Sequence, residues 1–404
     1  MSVNSAASTA EGVNRPLGRQ QAQPSTEGTK CLKFCIFVIM KITLIAGARP
    51  NFMKIAPIIR EIENAKNSGK NIDFRLVHTG QHYDKAMSGN FFEQLNIPEP
   101  HVNLECGGGS QAEQTAAIMV AFEKELIANP CDYVLVVGDV TSTMACAIVA
   151  KKLHTKVAHV EGGIRSWDIE MPEEINRLVT DSITDIFFTT SETANTNLRN
   201  AGVSDDKIKF VGNTMIDTLL YHDKDLVAPS LWQTENLSEK QYYVMTLHRP
   251  SNVDHAEQMR SIFEVIEKSL SGSKVIFPVH PRTRKNMELF GIKPNNVIMA
   301  DPMSYFEFNY LVKHAKGVVT DSGGITEETT VMGVPCITMR TSTERPETCD
   351  IGTNELVGTK PEDLAKALDK LQSGNWKTGA IPPMWDGKTA GRIILGLDGL
   401  DRLD

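Results

Sequence analysis

From Lys41 onward the chain repeats one unit: a short, continuously apolar run, a polar turn, then a helical stretch. Apolar runs at 41–46, 74–78, 132–138, 156–160 and 186–190 alternate with helical segments at 51–65, 111–127, 141–152, 173–182 and 193–201. Strands that are apolar along their whole length are covered on both faces, and strands separated by helices pair in parallel. A polar stretch at 222–240 reads as a hinge, after which the pattern restarts. Strands are expected at 242–247, 274–279, 297–300, 317–320 and 335–339. Helices are expected at 254–270, 305–315, 325–332 and 361–372, with a short last one near 388–398. The expected fold is α/β: two doubly wound Rossmann-like domains, 41–221 and 222–387, facing a cleft. The carboxyl ends of the strands would line that cleft and bind the ligand.

Composition narrows the class. The 404 residues suffice for two domains of ordinary size. The net charge is −8 and no long basic run appears, so no nucleic-acid partner is expected. Seven cysteines stand scattered at 31, 35, 106, 131, 146, 336 and 349. An odd, unpaired set argues against a disulfide framework and for a reducing, cytoplasmic compartment. Cys31 and Cys35 lack a second Cys/His pair, so no metal site is expected. The most apolar early run, 34–40, lies between Lys33 and Lys41 and is far short of the ~20 residues of a membrane span. Residues 1–40 read as a disordered extension, polar and aperiodic over their first 30 positions.

The chemistry gathers at the ends of the strands. Glu161 directly follows an apolar strand and precedes Gly162 and Gly163, at the edge where ligands bind. Pro172 suits the first position of a helix, and Glu173 and Arg177, four apart, share one helix face. Asp139 ends the strand at 132–138, and crowding it with Glu161 and Glu173 should raise at least one carboxyl pKa. The turn Gly47-Ala48-Arg49-Pro50-Asn51 opens a helix whose N–H groups suit a phosphate. Arg49 adds charge there, and Lys54 lies one turn further. Gln81 and His82 follow the second strand, His248 follows the first strand of the second series, and His280 has a matching place. The strongest phosphate signal is Asp321-Ser322-Gly323-Gly324, where a strand runs into a glycine-bearing helix start, with Glu328 placed to accept from a ribose diol. No G-x-G-x-x-G nicotinamide fingerprint occurs. Gly387-Lys388-Thr389 is no P-loop, because Pro382 stands where a glycine is needed.

Taken in order, Gly47-Ala-Arg-Pro50, Gly138-Asp139, Val160-Glu-Gly-Gly-Ile-Arg165, Pro172-Glu-Glu-Ile-Asn-Arg177, Val211-Gly-Asn-Thr214, Asp321-Ser-Gly-Gly-Ile-Thr-Glu-Glu328 and Thr343-Glu-Arg-Pro-Glu347 resemble the UDP-N-acetylglucosamine 2-epimerases of the non-hydrolysing type. The resemblance runs from about Lys41 to the end. It implies a glycosyltransferase-B type fold, a homodimer, no cofactor, and a last segment, 388–404, that returns to the first domain. It also implies that Arg49, His248, Ser322, Gly323, Gly324, Glu328 and Arg345 hold UDP, with Phe308 against the uracil. Lys54, Asp139, Glu161, Glu173, Arg177 and His248 would surround C1 and C2 of the sugar. Gln81 and His280 match positions near a second, regulatory sugar-nucleotide site. Asn51 stands where many members carry Glu. The implied reaction interconverts UDP-N-acetylglucosamine and UDP-N-acetylmannosamine through a glycal. The residues alone leave open a hydrolysing 2-epimerase, a 2-epimerase of a modified UDP-acetamido sugar, or a glycosyltransferase of the same fold.

Overall fold

The structure, a computed structural model, describes residues 39–80, 92 and 94–397. Seven strands form the first sheet: β1 (Met40–Ala46), β2 (Ile72–His78), β3 (Val102–Asn103), β4 (Tyr133–Val137), β5 (Lys156–Val160), β6 (Ile186–Thr189) and β7 (Ile208–Phe210). Their spatial order is β3-β2-β1-β4-β5-β6-β7. The second sheet holds β8 (Tyr242–Thr246), β9 (Lys274–Pro278), β10 (Val297–Ala300), β11 (Gly317–Thr320), β12 (Cys336–Thr338) and β13 (Asn354–Leu356), in the order β10-β9-β8-β11-β12-β13. Every pair is parallel. Both sheets are therefore doubly wound, with the strand order reversing between β1 and β4 and between β8 and β11, where such folds open a crevice.

The unbroken apolar runs have the expected cause. Tyr133, Leu135 and Val137 of β4 face a core shared with the helix Arg49–Asn67, whereas Val134 and Val136 face one built on the helices Gln111–Ala128 and Thr141–Lys152. With both faces covered, both sides of the strand are apolar. The second sheet is covered likewise: Tyr243 and Met245 of β8 join one core, Tyr242 and Val244 the other. The late helix Thr389–Gly396 puts Ala390, Ile393 and Ile394 into the first sheet's core, although the helix before it, Pro361–Gln372, packs on the second. Asp217 caps it, accepting from the Thr389 and Ala390 N–H groups at 3.1 and 2.7 Å.

Several elements were not foreseen. β3, β7 and β13 have two or three residues each, too short to show a periodicity. The stretch 222–240 is not an open polar linker. It contains the helix Ser230–Thr234, whose Leu231 and Trp232 pack on the second core beside the buried Leu237. No helix among the described residues is long and apolar enough to cross a membrane.

Candidate active site

The carboxyl edges of the two sheets meet over a cavity of about 500 Å³. Lys54, Asp139, Glu161, Glu173 and Arg177 reach it from the first sheet; His248, Ser322, Gly323, Gly324, Glu328 and Arg345 reach it from the second. Eleven of the expected site residues are thus brought together from seven separate strand or helix ends.

Glu161 sits at the centre. Its backbone lies at φ 71°, a left-handed conformation that costs a side-chain-bearing residue about 1 kcal/mol and clusters at functional sites. The carboxylate is buried, and its Oε2 accepts from Lys54 Nζ at 2.8 Å and from Arg345 Nη2 at 2.7 Å. Oε1 has no partner among the described residues. Burial pushes the Glu161 pKa up, but Lys54 and Arg345 outweigh it and hold the group at about 2. The expectation that crowded acids raise one another is therefore not met here. Two cations bonded directly to Glu161 decide its shift. Arg345 also donates from Nε to Glu327, which in turn accepts from Asn213 Nδ2 at 2.9 Å, so one guanidinium links acids from both sheets.

The glycines after Glu161 have a packing cause. A Cβ on Gly162 would stand 2.8 Å from the Phe187 ring, and one on Gly163 would stand 2.5 Å from the Ala194 carbonyl oxygen. Beneath them His159 is wholly buried, with Nδ1 2.8 Å from Asp181 Oδ1 and Nε2 2.8 Å from the Gly138 carbonyl oxygen. Asp181 accepts from the Gly163 N–H at 3.0 Å and from Arg165 at 2.6 Å. This network locks the turn bearing Asp139 to the turn bearing Glu161.

The expected Glu173–Arg177 pair is not formed. Arg177 instead donates to Glu174 Oε2 at 2.8 Å and to Asp139 Oδ2 at 2.6 Å. Glu174 is the buried residue of the helix start and also accepts from the Ser166 N–H, while Glu173 is left half-exposed on the cavity wall. The phosphate expected on the Gly47–Asn51 turn meets an obstacle. Asn51 Oδ1 already accepts from the Gly47 and Ala48 N–H groups, at 3.1 and 3.0 Å, and Pro50 has no N–H to offer. Arg49 is the first residue of that helix; its side chain, like the whole of Gln81, lies outside the described residues.

The other helix start is different. Ser322 precedes the helix Gly323–Met332, and no side chain caps it. A Cβ on Gly324 would meet nothing of the protein within 4 Å. Unspent N–H groups and open space are what an anion needs. His248 stands beside this start, its Nδ1 2.8 Å from Asp321 Oδ1. Glu328 is buried against Tyr305 and Asn309, and burial pushes its carboxyl up to about 7, with Glu327 adding to the effect. Arg340 is held by Glu344 through two 2.8 Å bonds, and that pairing outweighs burial to hold Glu344 at about 2. Phe308 does not line the cavity; it packs half-buried on the second core, on the same helix as Tyr305, which does. His280 is exposed and caps the helix Pro281–Phe290 through Arg282 N at 3.3 Å, its ring centre 6.4 Å from that of His248.

Asp321, Glu174, Glu327 and the Arg340–Glu344 pair were passed over in the sequence. Asp321 carries the one usable signal, a carboxylate directly after a buried strand, which is the reasoning that singled out Glu161.

Two parallel sheets wound alike, their carboxyl edges closing on an acid-lined cavity beside an open helix start, define an α/β protein of glycosyltransferase-B type. A family model described as UDP-N-acetylglucosamine 2-epimerase matches residues 64–398, and the chain belongs to that family. It is 41% identical over 370 residues to the UDP-N-acetylglucosamine 2-epimerase of Methanocaldococcus jannaschii, covering 88% of this chain and 98% of the relative. It is 39% identical over 331 residues to the UDP-2,3-diacetamido-2,3-dideoxy-D-glucuronate 2-epimerase of Pseudomonas aeruginosa, covering 81% of this chain and 91% of the relative. The crystal structure of the M. jannaschii enzyme in complex with UDP-GlcNAc and UDP superposes with a TM-score of 0.78 at 40% identity, over 88% of this chain and 99% of that one.

Proposed function

We propose that this chain interconverts UDP-N-acetylglucosamine and UDP-N-acetylmannosamine without hydrolysis. The proton at C2 of a 2-acetamido sugar is not adjacent to a carbonyl, so direct deprotonation is not feasible. Elimination avoids the difficulty. A base takes the C2 proton, the C–H electron pair becomes the C1=C2 bond of a glycal, and the C1–O bond breaks to release UDP. Protonation of C2 on the other face, with return of UDP to C1, gives the epimer. The observation that carries this reading is the sharing of one cavity by Glu161, Asp139 and Glu173 with the open Ser322-Gly323-Gly324 helix start.

In this reading the helix start stabilises the charge that develops on the departing diphosphate, and His248 adds to it once its ring carries a proton on both nitrogens. Asp139, Glu161 and Glu173 serve the two C2 proton transfers, each such role being worth ~10²–10⁴ in rate. Glu161 is ionised, and its Oε1 is unpartnered among the described residues, as a proton acceptor requires. Drawing Arg345 onto the diphosphate would remove one of its two cations and raise its basicity as substrate arrives. The working form is a homodimer. Support for that comes from the large apolar residues left in solvent, Val120 and Ile127 on one helix and Ile175 and Leu178 on another. Light scattering at the mass of one chain would count against it.

NMR of the purified protein with UDP-N-acetylglucosamine in heavy water tests the chemistry. The expected product is UDP-N-acetylmannosamine carrying deuterium at C2. Free N-acetylmannosamine as the accumulating product would favour the hydrolysing reading, and product without deuterium would rule out exchange at C2.

A further inference from the structure

Asp321 has no part in the reading above, yet it ties together the two turns that flank the helix start. It is wholly buried at the end of β11. The His248 N–H donates to both of its oxygens, at 3.1 and 3.0 Å. Oδ2 also accepts from the Arg249 N–H at 2.8 Å and from Asn252 Nδ2 at 3.1 Å. Oδ1 lies 2.8 Å from His248 Nδ1. The same carboxylate therefore holds the backbone and the ring of His248, and its neighbour in sequence, Ser322, opens the helix.

The hydrogen count fixes the ring. A carboxylate surrounded by donors is an acceptor on every side. Burial alone would raise the Asp321 pKa, but His248, Arg249 and Asn252 bring it below its ordinary value, so it has no hydrogen of its own to give. The hydrogen between Asp321 and the imidazole then belongs to Nδ1, and Nε2 is the nitrogen left for other work. Partners on one ring nitrogen commonly set what the other can do.

We infer that Asp321 is a positioning residue, which keeps His248 in the Nδ1–H form and holds that ring at a fixed place beside the Ser322 helix start. The assignment of His248 to the departing diphosphate rests on the epimerase reading, whereas the ring's hydrogen placement does not. A carboxylate that served only to brace the turns would not care which nitrogen is protonated, and this separates the two roles.

The test is ¹⁵N NMR of histidine-labelled protein at about pH 8, above the usual range of His titration. The His248 signals are identified by their loss in His248→Gln. The wild-type ring should show a protonated Nδ1 and a bare Nε2. Asp321→Asn keeps the shape and can still accept the backbone N–H groups, but it turns an amide NH₂ toward the ring, which should move the hydrogen to Nε2. Turnover in that variant should fall by ~10² or more, with the affinity for UDP changing less than ~3-fold, since a wrong tautomer damages catalysis more than binding. A wild-type ring protonated at Nε2 would overturn the inference, and that measurement stands even if Asp321→Asn does not fold. An Asp321→Asn protein with unchanged ring signals and unchanged turnover would overturn it as well. If wild type shows the Nδ1–H ring but no turnover of UDP-N-acetylglucosamine, the epimerase reading fails while the hold of Asp321 on the ring survives.

Discussion

The helices Arg49–Asn67 and Gly323–Met332 start alike: each follows a buried strand of its sheet through a two-residue turn, and each start borders the same cavity. At the first, Asn51 takes the Gly47 and Ala48 N–H groups, Pro50 has none, and the Asn51 N–H returns to the Ala48 carbonyl at 2.9 Å. At the second, no side chain caps the helix and Gly324 faces open space. The charges divide in the same way. Glu161 is matched by Lys54 and by Arg345 from the second sheet, and Asp139 by Arg177, while Glu328 is left without a cation to offset its burial. A strand–turn–helix start becomes a seat for an anion only where its donors are unspent, and in the proposed reaction the two halves of this cavity would serve different parts of one substrate.

The hardest blow to that division is Glu161→Gln. It removes an ionised carboxylate from between Lys54 and Arg345 while leaving the Ser322 helix start untouched. Turnover should fall by ~10²–10⁴, as expected when an acid–base group is lost. UDP should still bind, which calorimetry can check. Near-normal turnover would take Glu161 out of the chemistry, and loss of UDP binding would show that the two edges are not separable.

A pair of glycine substitutions sharpens the contrast. Gly47→Ala would put a Cβ 2.0 Å from Ser142 Oγ, so it should destabilise the fold by ~1–3 kcal/mol without directly altering UDP affinity. Gly324→Ala meets no protein atom and exchanges glycine for a better helix former, so the fold should gain up to ~1 kcal/mol. UDP affinity should nevertheless drop about tenfold, a cost of ~1.4 kcal/mol, because the new methyl occupies space meant for the ligand. Thermal melts and UDP titrations of both proteins decide it. Equal UDP affinities in Gly324→Ala and wild type would mean that the diphosphate sits elsewhere.

The layout of this molecule was legible because continuous apolar runs have one explanation, burial on both faces, and the ends of those runs mark the cleft. Glu161 and Ser322 could be found that way. What stayed hidden depends on who meets whom across the chain. Asn51 looks like a helix residue until Val137 and the Gly47 turn are seen around it. The i,i+4 spacing pointed to Glu173 as the partner of Arg177, but the turn at Ser166 and the loop at Asp139 draw the guanidinium toward Glu174 and away from Glu173. Glycines 162 and 163 stood out only as neighbours of Glu161, and the Phe187 ring and the Ala194 carbonyl show that they make room for the protein itself.

The smallest expected effect concerns Glu328, where site and stability pull apart. Burial raises its pKa from 4.5 to about 7, opposite to the shift at Glu161. Between those pH values the folded chain keeps a proton that the unfolded chain has released. Stability therefore falls as pH rises through that window, and the penalty is complete above about 7, at most ~3 kcal/mol. Glu328→Gln carries no such penalty. Near pH 8 it should melt a few degrees higher than wild type, since ~1 kcal/mol moves Tm by about 2–4 °C in domains of this size. Near pH 4 the two melts should converge, because wild type is then protonated in both states. UDP should bind the variant more weakly, as an amide is a poorer acceptor for a ribose diol than a carboxylate. Identical melting differences at the two pH values would show that burial of this acid costs the fold nothing, and the contrast between the paired Glu161 and the unpaired Glu328 would lose its energetic basis.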